Sequence, residues 1–127
     1  MTSLTLIRGI SGSGKSTMAK ALLDNGEVDC HFEADQWLYH TDGRYEFTRE
    51  RVIAAHQQCK IATELAIEKG LRVVVSNTFA RHWEMQPYKD MAEHLNCSLS
   101  VIVAKGQYKS LHAPDFVVAH QKSVWEK

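Results

Sequence analysis

The chain lacks the composition that marks several large classes of protein. Its 15 Lys and Arg balance its 15 Asp and Glu, so the formal net charge is zero. This balance argues against a broadly basic nucleic-acid surface and leaves any such binding to a local patch. No apolar run approaches the roughly 18 residues of a membrane span, and no signal-peptide pattern opens the chain. We therefore expect no membrane association.

Cysteine is scarce and badly placed for a structural role. Cys30, Cys59 and Cys97 are odd in number and widely spaced, so they fit neither a disulfide framework nor a zinc site. The seven histidines show no metal-ligand spacing either. We expect a reduced, cytoplasmic protein. The 44% hydrophobic content is that of an ordinary globular protein, and 127 residues predict one domain spanning 1–127.

What the chain does have is a glycine-rich motif near its start. Residues 9–16 read GISGSGKS and fit G-x-x-x-x-G-K-[ST] at every fixed position. An apolar run with strand character, 4–7, precedes the motif, and helix formers without Gly or Pro follow it at 17–23. A strand, a glycine loop and a helix in that order predict a phosphate-binding loop rather than a glycine-rich turn that matches by chance.

The motif also predicts how ATP and Mg²⁺ are held. Glycines let successive backbone N–H groups turn inward around phosphate oxygens, and the helix N-terminus adds partial positive charge. Lys15 is predicted to reach the β- and γ-phosphates as a catalytic cation, and the Ser16 hydroxyl to help hold Mg²⁺. The predicted nucleotide-binding set is Gly9, Ser11, Gly12, Ser13, Gly14, Lys15, Ser16 and Thr17.

The rest of the chain alternates between strand and helix patterns. Thr48 is a predicted N-cap and Gly70 a predicted helix stop. The predicted strands are 3–8, 28–32, 71–75 and 99–104; the predicted helices are 15–24, 49–69, 81–96 (interrupted or re-initiated at Pro87), and one from Pro114 to near Trp125. This alternation predicts a parallel α/β sheet with a site at the carboxyl edge of its strands.

Asp35 follows the second predicted strand and is the first candidate for chemistry. A parallel sheet would place its carboxylate beside the phosphate loop, where a phosphoryl-transfer enzyme needs a group to orient an acceptor hydroxyl and take its proton. A solvated loop carboxylate or a helix cap would occupy the same position. Sequence position alone leaves the two readings balanced.

The end of the third predicted strand supplies the other candidates for substrate contact. Many P-loop proteins carry a Mg²⁺-binding Asp there, but this chain has Ser76. Asn77 can hydrogen-bond the acceptor or a metal-bound water, although it cannot act as a base, and a turn residue is the alternative. Arg81 and Arg44 are candidate contacts for an anionic substrate, whereas Arg51 is expected on a solvated helix surface.

These residues together resemble the polynucleotide-kinase and zeta-toxin branch of P-loop kinases, and most of all its small AAA-type ATP-binding proteins, many of them phage-encoded. The resemblance covers nearly the whole chain. It rests on residues 9–17, Asp35, DGxYxF at 42–47, SNT at 76–78, WEMxPY at 83–88, HAP at 112–114 and WE at 125–126. The first motif marks P-loop NTPases in general, and the later ones together are more specific to this branch.

The resemblance implies a fold and roles for two residues. The fold is a three-layer α/β/α P-loop NTPase sandwich, with about four parallel strands and the phosphate-loop strand between the third and fourth. Asp35 matches the family's general base. Asn77 falls at an acceptor-contacting position that holds Asp in phage polynucleotide kinases and Asn in related proteins.

The sequence departs from this branch after the fourth strand, where the family carries a longer lid with an arginine. Here Ala104 is followed by GQYK at 106–109 and then Pro114, so we expect a shortened lid whose best cation is Lys109. No arginine occurs beyond Arg81. A mobile arginine neutralises charge on the phosphoryl group in the transition state and raises the transfer rate by several powers of ten. Lysine offers a point charge in place of the two-pronged guanidinium, so it replaces arginine imperfectly.

Two functions are therefore predicted. The first is an ATP- and Mg²⁺-dependent kinase that acts on a hydroxyl acceptor, either a polynucleotide 5′-end or a nucleotide-like small molecule. The second is a catalytically weak NTP-binding module that engages a host protein or hydrolyses nucleotide. The short lid and the missing arginine favour the second, while Asp35 and Asn77 favour the first.

Overall fold

A computed structural model describes residues 2–39, 42–106 and 115–127 of the chain. Its strands are β1 Ser3–Arg8, β2 Cys30–Phe32, β3 Arg72–Asn77 and β4 Ser98–Val103. Its helices are α1 Lys15–Asp24, α2 Arg49–Glu68, α3 His82–His94 and α4 Asp115–Ser123, with a short 3₁₀ turn at Ala34–Trp37. The predicted alternation of strands and helices is confirmed.

The four strands form one parallel sheet in the order β2-β3-β1-β4. β1, which leads into the glycine loop, therefore lies between the third and fourth strands, as the resemblance implied. Arg8 at the end of β1 pairs in register with Asn77 of β3 and Val103 of β4. Because the strands run in the same direction, the segments that follow β1, β2, β3 and β4 all emerge at one edge of the sheet.

Helices cover both faces of the sheet and make three layers. On one face, Leu6 and Val75 are completely buried against α2 and α3. On the other face, Ile7 and Val74 are completely buried against Ala19 of α1. Each large aliphatic side chain buried in this way contributes about 1.5–3 kcal/mol to folding, so this double-sided burial fixes the strand order and the edge at which the loops meet.

Helix α2 confirms its predicted cap and buries one face. The Thr48 side chain accepts a hydrogen bond from the Arg51 backbone N–H at 3.3 Å. Ala55, Cys59 and Ala66, which recur at helical spacing, are all buried against the sheet. Arg51 itself corrects an expectation, because it is half-buried and donates to the carbonyl of Trp37 at 3.3 Å. It fastens α2 to the 3₁₀ turn.

Helix α3 departs from prediction because it runs without a break through Pro87. Proline removes one backbone hydrogen bond and normally kinks or ends a helix. Here Met85, Tyr88 and Ala92, which lie on one face, are each 2% exposed against the core. Their burial outweighs the local cost of the proline, so the predicted interruption is wrong.

Strand β4 lies at an edge of the sheet, and no other strand of the described ranges pairs with its outer side. Leu99, Val101 and Val103 alternate along it, and each is about 40% exposed. Helix α4 does not bury an apolar face either, since none of its nine residues, all described, is buried. Among the helices of the described ranges, none is long and apolar enough to cross a membrane.

Candidate functional site

The loop between β1 and α1 has the backbone that its glycines permit. Gly12 (φ 85°) and Gly14 (φ 87°) lie in the left-handed region, where other residues are strained. Gly9 is required for space, because a Cβ there would lie 2.1 Å from the Ser13 Oγ. The fixed glycines of the motif therefore have a steric cause in this chain.

Hydrogen bonds to neighbouring strand ends hold the loop in shape. The Gly9 N–H donates to the Thr78 carbonyl after β3 at 3.1 Å, and the Gly106 N–H after β4 donates to the Ser13 carbonyl at 2.9 Å. Within the loop, the Ser13 N–H donates to the Ile10 carbonyl at 3.1 Å. The segments that follow β1, β3 and β4 therefore hold the loop together.

Glu33 is a candidate site residue that sequence reasoning missed. It follows β2 directly, and its Oε2 accepts hydrogen bonds from the hydroxyls of Ser16 at 2.7 Å and Ser76 at 2.9 Å. The predicted metal-binding hydroxyl of Ser16 is therefore paired with a carboxylate from β2. A carboxylate two positions before Asp35, at the point where a parallel strand ends, was the available signal.

A further hydrogen bond extends this group to His31. The His31 Nε2 lies 2.7 Å from the Ser76 Oγ and 3.7 Å from the Glu33 Oε2. Since Ser76 gives its one proton to Glu33, the His31 Nε2 must carry the proton that it donates to Ser76. Burial lowers the pKa of His31, and the charge of Glu33 opposes that shift. The net effect is a His31 pKa below its ordinary value.

Asp35 lies on the 3₁₀ turn with its side chain exposed, on the loop side of the sheet edge. Burial lowers the pKa of Lys15, while the negative charges of Asp35 and then Glu33 raise it. Asp35 also helps raise the pKa of Tyr45, after burial. The charge of Asp35 therefore acts on both the phosphate-loop lysine and the tyrosine of the 42–47 motif.

Asn77 performs a structural task beside this site. It is 5% exposed at the end of β3, and its Oδ1 accepts a hydrogen bond from the Ala34 N–H at 2.8 Å. Its Nδ2 lies 3.8 Å from the Cys59 Sγ. Asn77 thereby fixes the start of the turn that carries Asp35. Contact between Asn77 and an acceptor stays a prediction.

The structure places the remaining predicted residues as follows. Arg81 precedes α3 and is exposed. Arg44 is exposed and forms an ion pair with Asp42 at 2.7 Å. Among the other residues that follow β3, Phe79 is core, 2% exposed, with its ring edge-on to Tyr88, so it offers no face to a base. Lys109 and the shortened lid lie outside the described residues.

A second group that the sequence did not reveal lies under the loop. Arg8 is 4% exposed and donates to the carbonyls of Phe79 at 3.0 Å, Ala80 at 3.1 Å and Glu126. Its guanidinium lies 4.2 Å from the ring centre of Trp125. Partners 71 to 118 residues away in sequence leave no local pattern, so only the fold reveals this arrangement.

The residues present fit a polyphosphate with Mg²⁺. Left-handed glycines, a helix N-terminus and Lys15 suit phosphate, and the oxygens of Ser16 and Glu33, 2.7 Å apart, are ligands that Mg²⁺ prefers. Within the described residues, no cluster of three or more His, Cys, Asp or Glu side chains could hold a metal by itself. A metal here would therefore share its coordination with substrate phosphates and water, as Mg²⁺ commonly does.

Comparisons with known proteins agree with this architecture. A model of an AAA domain family, AAA_33, matches residues 4–109. Human NEDD4-binding protein 2 is 31% identical over 91 residues, or 71% of this chain. The chain spans 5% of that protein's length.

Solved structures share the fold at low identity. The structure of a Pnkp1/Rnl/Hen1 complex matches with a TM-score of 0.69 and 15% identity, over 82% of this chain and 35% of that one. APS kinase CysC of Mycobacterium tuberculosis, solved with AMPPNP and APS, matches with a TM-score of 0.61 and 16% identity, over 82% and 62%. The fold is that of P-loop NTPases of the kinase type, as a three-layer α/β/α sandwich.

Proposed function

Since the chain belongs to the AAA_33 family of AAA domains, we propose that it is an ATP-dependent phosphotransferase that moves the γ-phosphoryl group to a hydroxyl acceptor. One observation carries the proposal. Two carboxylates follow β2: Glu33 accepts a hydrogen bond from Ser16 of the phosphate loop, and the charge of Asp35 counters the lowering of the Lys15 pKa by burial. A site for nucleotide binding alone needs the loop, whereas transfer also needs a proton acceptor beside it.

Each residue then has a distinct role. Loop amides from Gly12 to Lys15 hold the phosphates, and the Lys15 ammonium neutralises charge on the β- and γ-groups. Ser16 and Glu33 would hold Mg²⁺, which when bound supplies charge neutralisation between the phosphates. Asp35 takes the acceptor's hydroxyl proton as the new O–P bond forms and the bond to ADP breaks.

The surroundings of Asp35 favour an acceptor that carries a flat ring. The Tyr39 and Tyr45 rings meet edge to face at 5.1 Å, and Tyr45 stacks with Phe47 at 6.5 Å. Tyr39 is 41% and Phe47 59% exposed. The charge of Asp35 acts on Tyr45, which joins these exposed rings to the proposed base. Exposed rings suit stacking with a nucleobase, so a nucleic-acid end or a nucleotide is the acceptor class that we propose, within the polynucleotide-kinase branch.

Transfer from γ-labelled ATP to a panel of 5′-hydroxyl oligonucleotides, nucleosides and small alcohols tests this proposal. We expect Lys15→Ala to abolish transfer, because the only loop cation at the β- and γ-phosphates is lost. Asp35→Asn should keep ATP affinity and lower kcat by about 10²–10⁴-fold, the usual contribution of a general base.

The matched control is Asp24→Asn, which makes the same exposed change at the end of α1 and should leave turnover unchanged. Normal turnover in Asp35→Asn would contradict the assignment of the base. ATP binding by the wild type with no transfer to any acceptor would contradict the kinase proposal itself.

A second candidate function is an NTP-binding module that engages a host protein. It is favoured by the open β4 edge, where Leu99, Val101 and Val103 remain about 40% exposed, because unpaired strand edges readily add a partner strand. Tight nucleotide binding without transfer or hydrolysis would support this function over the first.

A further inference from the structure

A glutamine from the far end of the chain is bonded to the middle of the phosphate loop. The Gln121 Oε1 accepts a hydrogen bond from the Ser11 backbone N–H at 2.7 Å. The Gln121 Nε2 donates to the Ser11 Oγ at 3.0 Å. A primary amide thus pairs with both the backbone and the side chain of one residue, 110 positions away in sequence. Two hydrogen bonds to the same residue fix the orientation of Ser11 as well as its position.

Polar contacts dock the whole 115–127 segment, to which Gln121 belongs. The Glu126 N–H donates to the Ala80 carbonyl at 2.7 Å, and its carboxylate accepts from the His82 N–H at 2.6 Å. Trp125 lies over the Arg8 guanidinium at 4.2 Å. Because no residue of α4 is fully buried, these directional contacts contribute to where Gln121 lies.

The loop has a particular need for such a contact. Its left-handed glycines give the free loop many backbone conformations, and selecting one of them opposes ligand binding. Thr78 and Gly106 hold the loop at Gly9 and Ser13. Gln121 holds Ser11, between those two points, and so removes freedom that nucleotide would otherwise have to remove.

We propose that Gln121 is a positioning residue of the phosphate site: it holds Ser11 in the nucleotide-ready conformation, so that nucleotide and the 115–127 segment stabilise one another. The contact persists in the bound state, because the amides assigned to the phosphates run from Gly12 to Lys15 and leave the Ser11 N–H to Gln121. Linkage makes the stabilisation reciprocal. The inference rests on the nucleotide binding proposed above.

Gln121→Ala tests it by nucleotide affinity. We expect the Kd for ATP to rise about 5- to 20-fold, the loss of one well-formed pair of hydrogen bonds. Alanine is a better helix former than glutamine, so α4 should remain helical. Gln57→Ala makes the same change on the exposed surface of α2 and should leave the Kd unchanged. Isothermal calorimetry with ATP measures both variants.

Gln121→Glu adds a test that a purely structural role would not pass. Glutamate can still accept from the Ser11 N–H, but it places a negative charge beside the polyphosphate. Its Kd for ATP should exceed that of Gln121→Ala at low salt, and the difference should shrink as salt screens the charge.

Because the stabilisation is reciprocal, it can also be measured in the wild type, without an activity assay and without a variant that must fold. Saturating ATP should slow amide hydrogen exchange in residues 115–127 of the wild type by several-fold. The same exchange in Gln121→Ala should respond less.

Three outcomes would overturn the proposal. Tighter ATP binding by Gln121→Ala would show that glutamine blocks the site, and an unchanged Kd would show that Ser11 needs no support. If ATP does not change amide hydrogen exchange in residues 115–127 of the wild type, nucleotide and this segment do not stabilise one another. If instead the wild type binds no nucleotide, it is the proposed function that fails, so the two failures are distinguishable.

Discussion

At the scale of single residues, the site depends on how one carboxylate oxygen is shared. The Glu33 Oε2 accepts from Ser16 on α1 and from Ser76 on β3, and His31 supports Ser76 from behind. The strand end, the helix start and the sheet interior therefore meet at one atom. A metal held by Ser16 would inherit that geometry, since groups around a ligand orient it.

Removing the charge of Glu33 should weaken Mg²⁺ binding more than ATP binding. In Glu33→Gln the amide oxygen can still accept from Ser16, but the negative charge that attracts Mg²⁺ is lost. We expect the Mg²⁺ concentration for half-maximal transfer to rise about 10- to 100-fold. A Mg²⁺ titration at fixed ATP measures this.

ATP binding measured in EDTA should change little in the same variant. Glu64→Gln, an exposed change on α2, is the control for the titration. An unaltered Mg²⁺ requirement in Glu33→Gln would show that the carboxylate serves the hydroxyls alone.

At the scale of secondary-structure elements, tertiary packing overrides local preference in α3. Pro87 lies inside the helix and on its exposed side. The face formed by Met85, Tyr88 and Ala92 remains buried. Proline's missing N–H leaves a helical carbonyl without its partner one turn earlier, so this helix carries a local cost that its core face outweighs.

Pro87→Ala should therefore stabilise the protein. The variant regains a helical hydrogen bond and loses a ring clash worth about 3 kcal/mol in a helix interior, offset by about 1 kcal/mol of added freedom in the unfolded chain. We expect a gain of about 1–2 kcal/mol in the free energy of unfolding, measured in urea. A loss of stability would mean that the proline fits this helix better than alanine.

Sequence patterns predicted the elements better than the contacts between them. Helix α1 begins and ends where predicted, because the motif and Asn25-Gly26 mark both ends. Strand β3 extends to Asn77, beyond the predicted Val75. Polar side chains there read as a turn, yet in the sheet both Ser76 and Asn77 are buried and satisfied by Glu33 and Ala34. Hydrogen-bond partners from other elements therefore allow these polar residues to continue the strand.

The sequence predicted the phosphate loop of the candidate site but not the residues that hold the loop in place. Lys15 and Ser16 follow from spacing, and Asp35 from its place after β2. Glu33 was overlooked because both carboxylates follow the same strand, and only the observed end of β2 shows which one meets Ser16. Gln121 depends on a docking 110 residues away, which no periodicity encodes.

At the scale of the whole molecule, stability should depend on pH through half-buried histidines. Burial lowers the pKa of both His31 and His56 below the ordinary 6.5. The unfolded chain then takes up protons before the folded one as pH falls. The contribution of these histidines to the free energy of unfolding is therefore fully present above pH 6.5, and it declines as the pH falls below 6.5. Asp29, whose pKa is about 2, acts only in a more acidic range.

Urea unfolding at pH 7.5, 6.5 and 5.5 checks this expectation. The wild type should lose stability across the interval, and His31→Gln, which keeps a donor for Ser76 without titrating, should lose less. An equal decline in the wild type and in a doubly substituted His31→Gln, His56→Gln protein would assign the dependence to other groups.

Arg8 gives the molecule a mechanical property as well as a chemical one. Its guanidinium joins β1, the residues after β3 and Glu126, and it directly precedes Gly9 in the chain. A pulling force on residues 124–127 would reach the base of the phosphate loop through this side chain, while the hydrogen bonds of Glu126 to Ala80 and His82 carry part of the force to the start of α3. Load on this segment would then act on the phosphate loop as well as on the sheet.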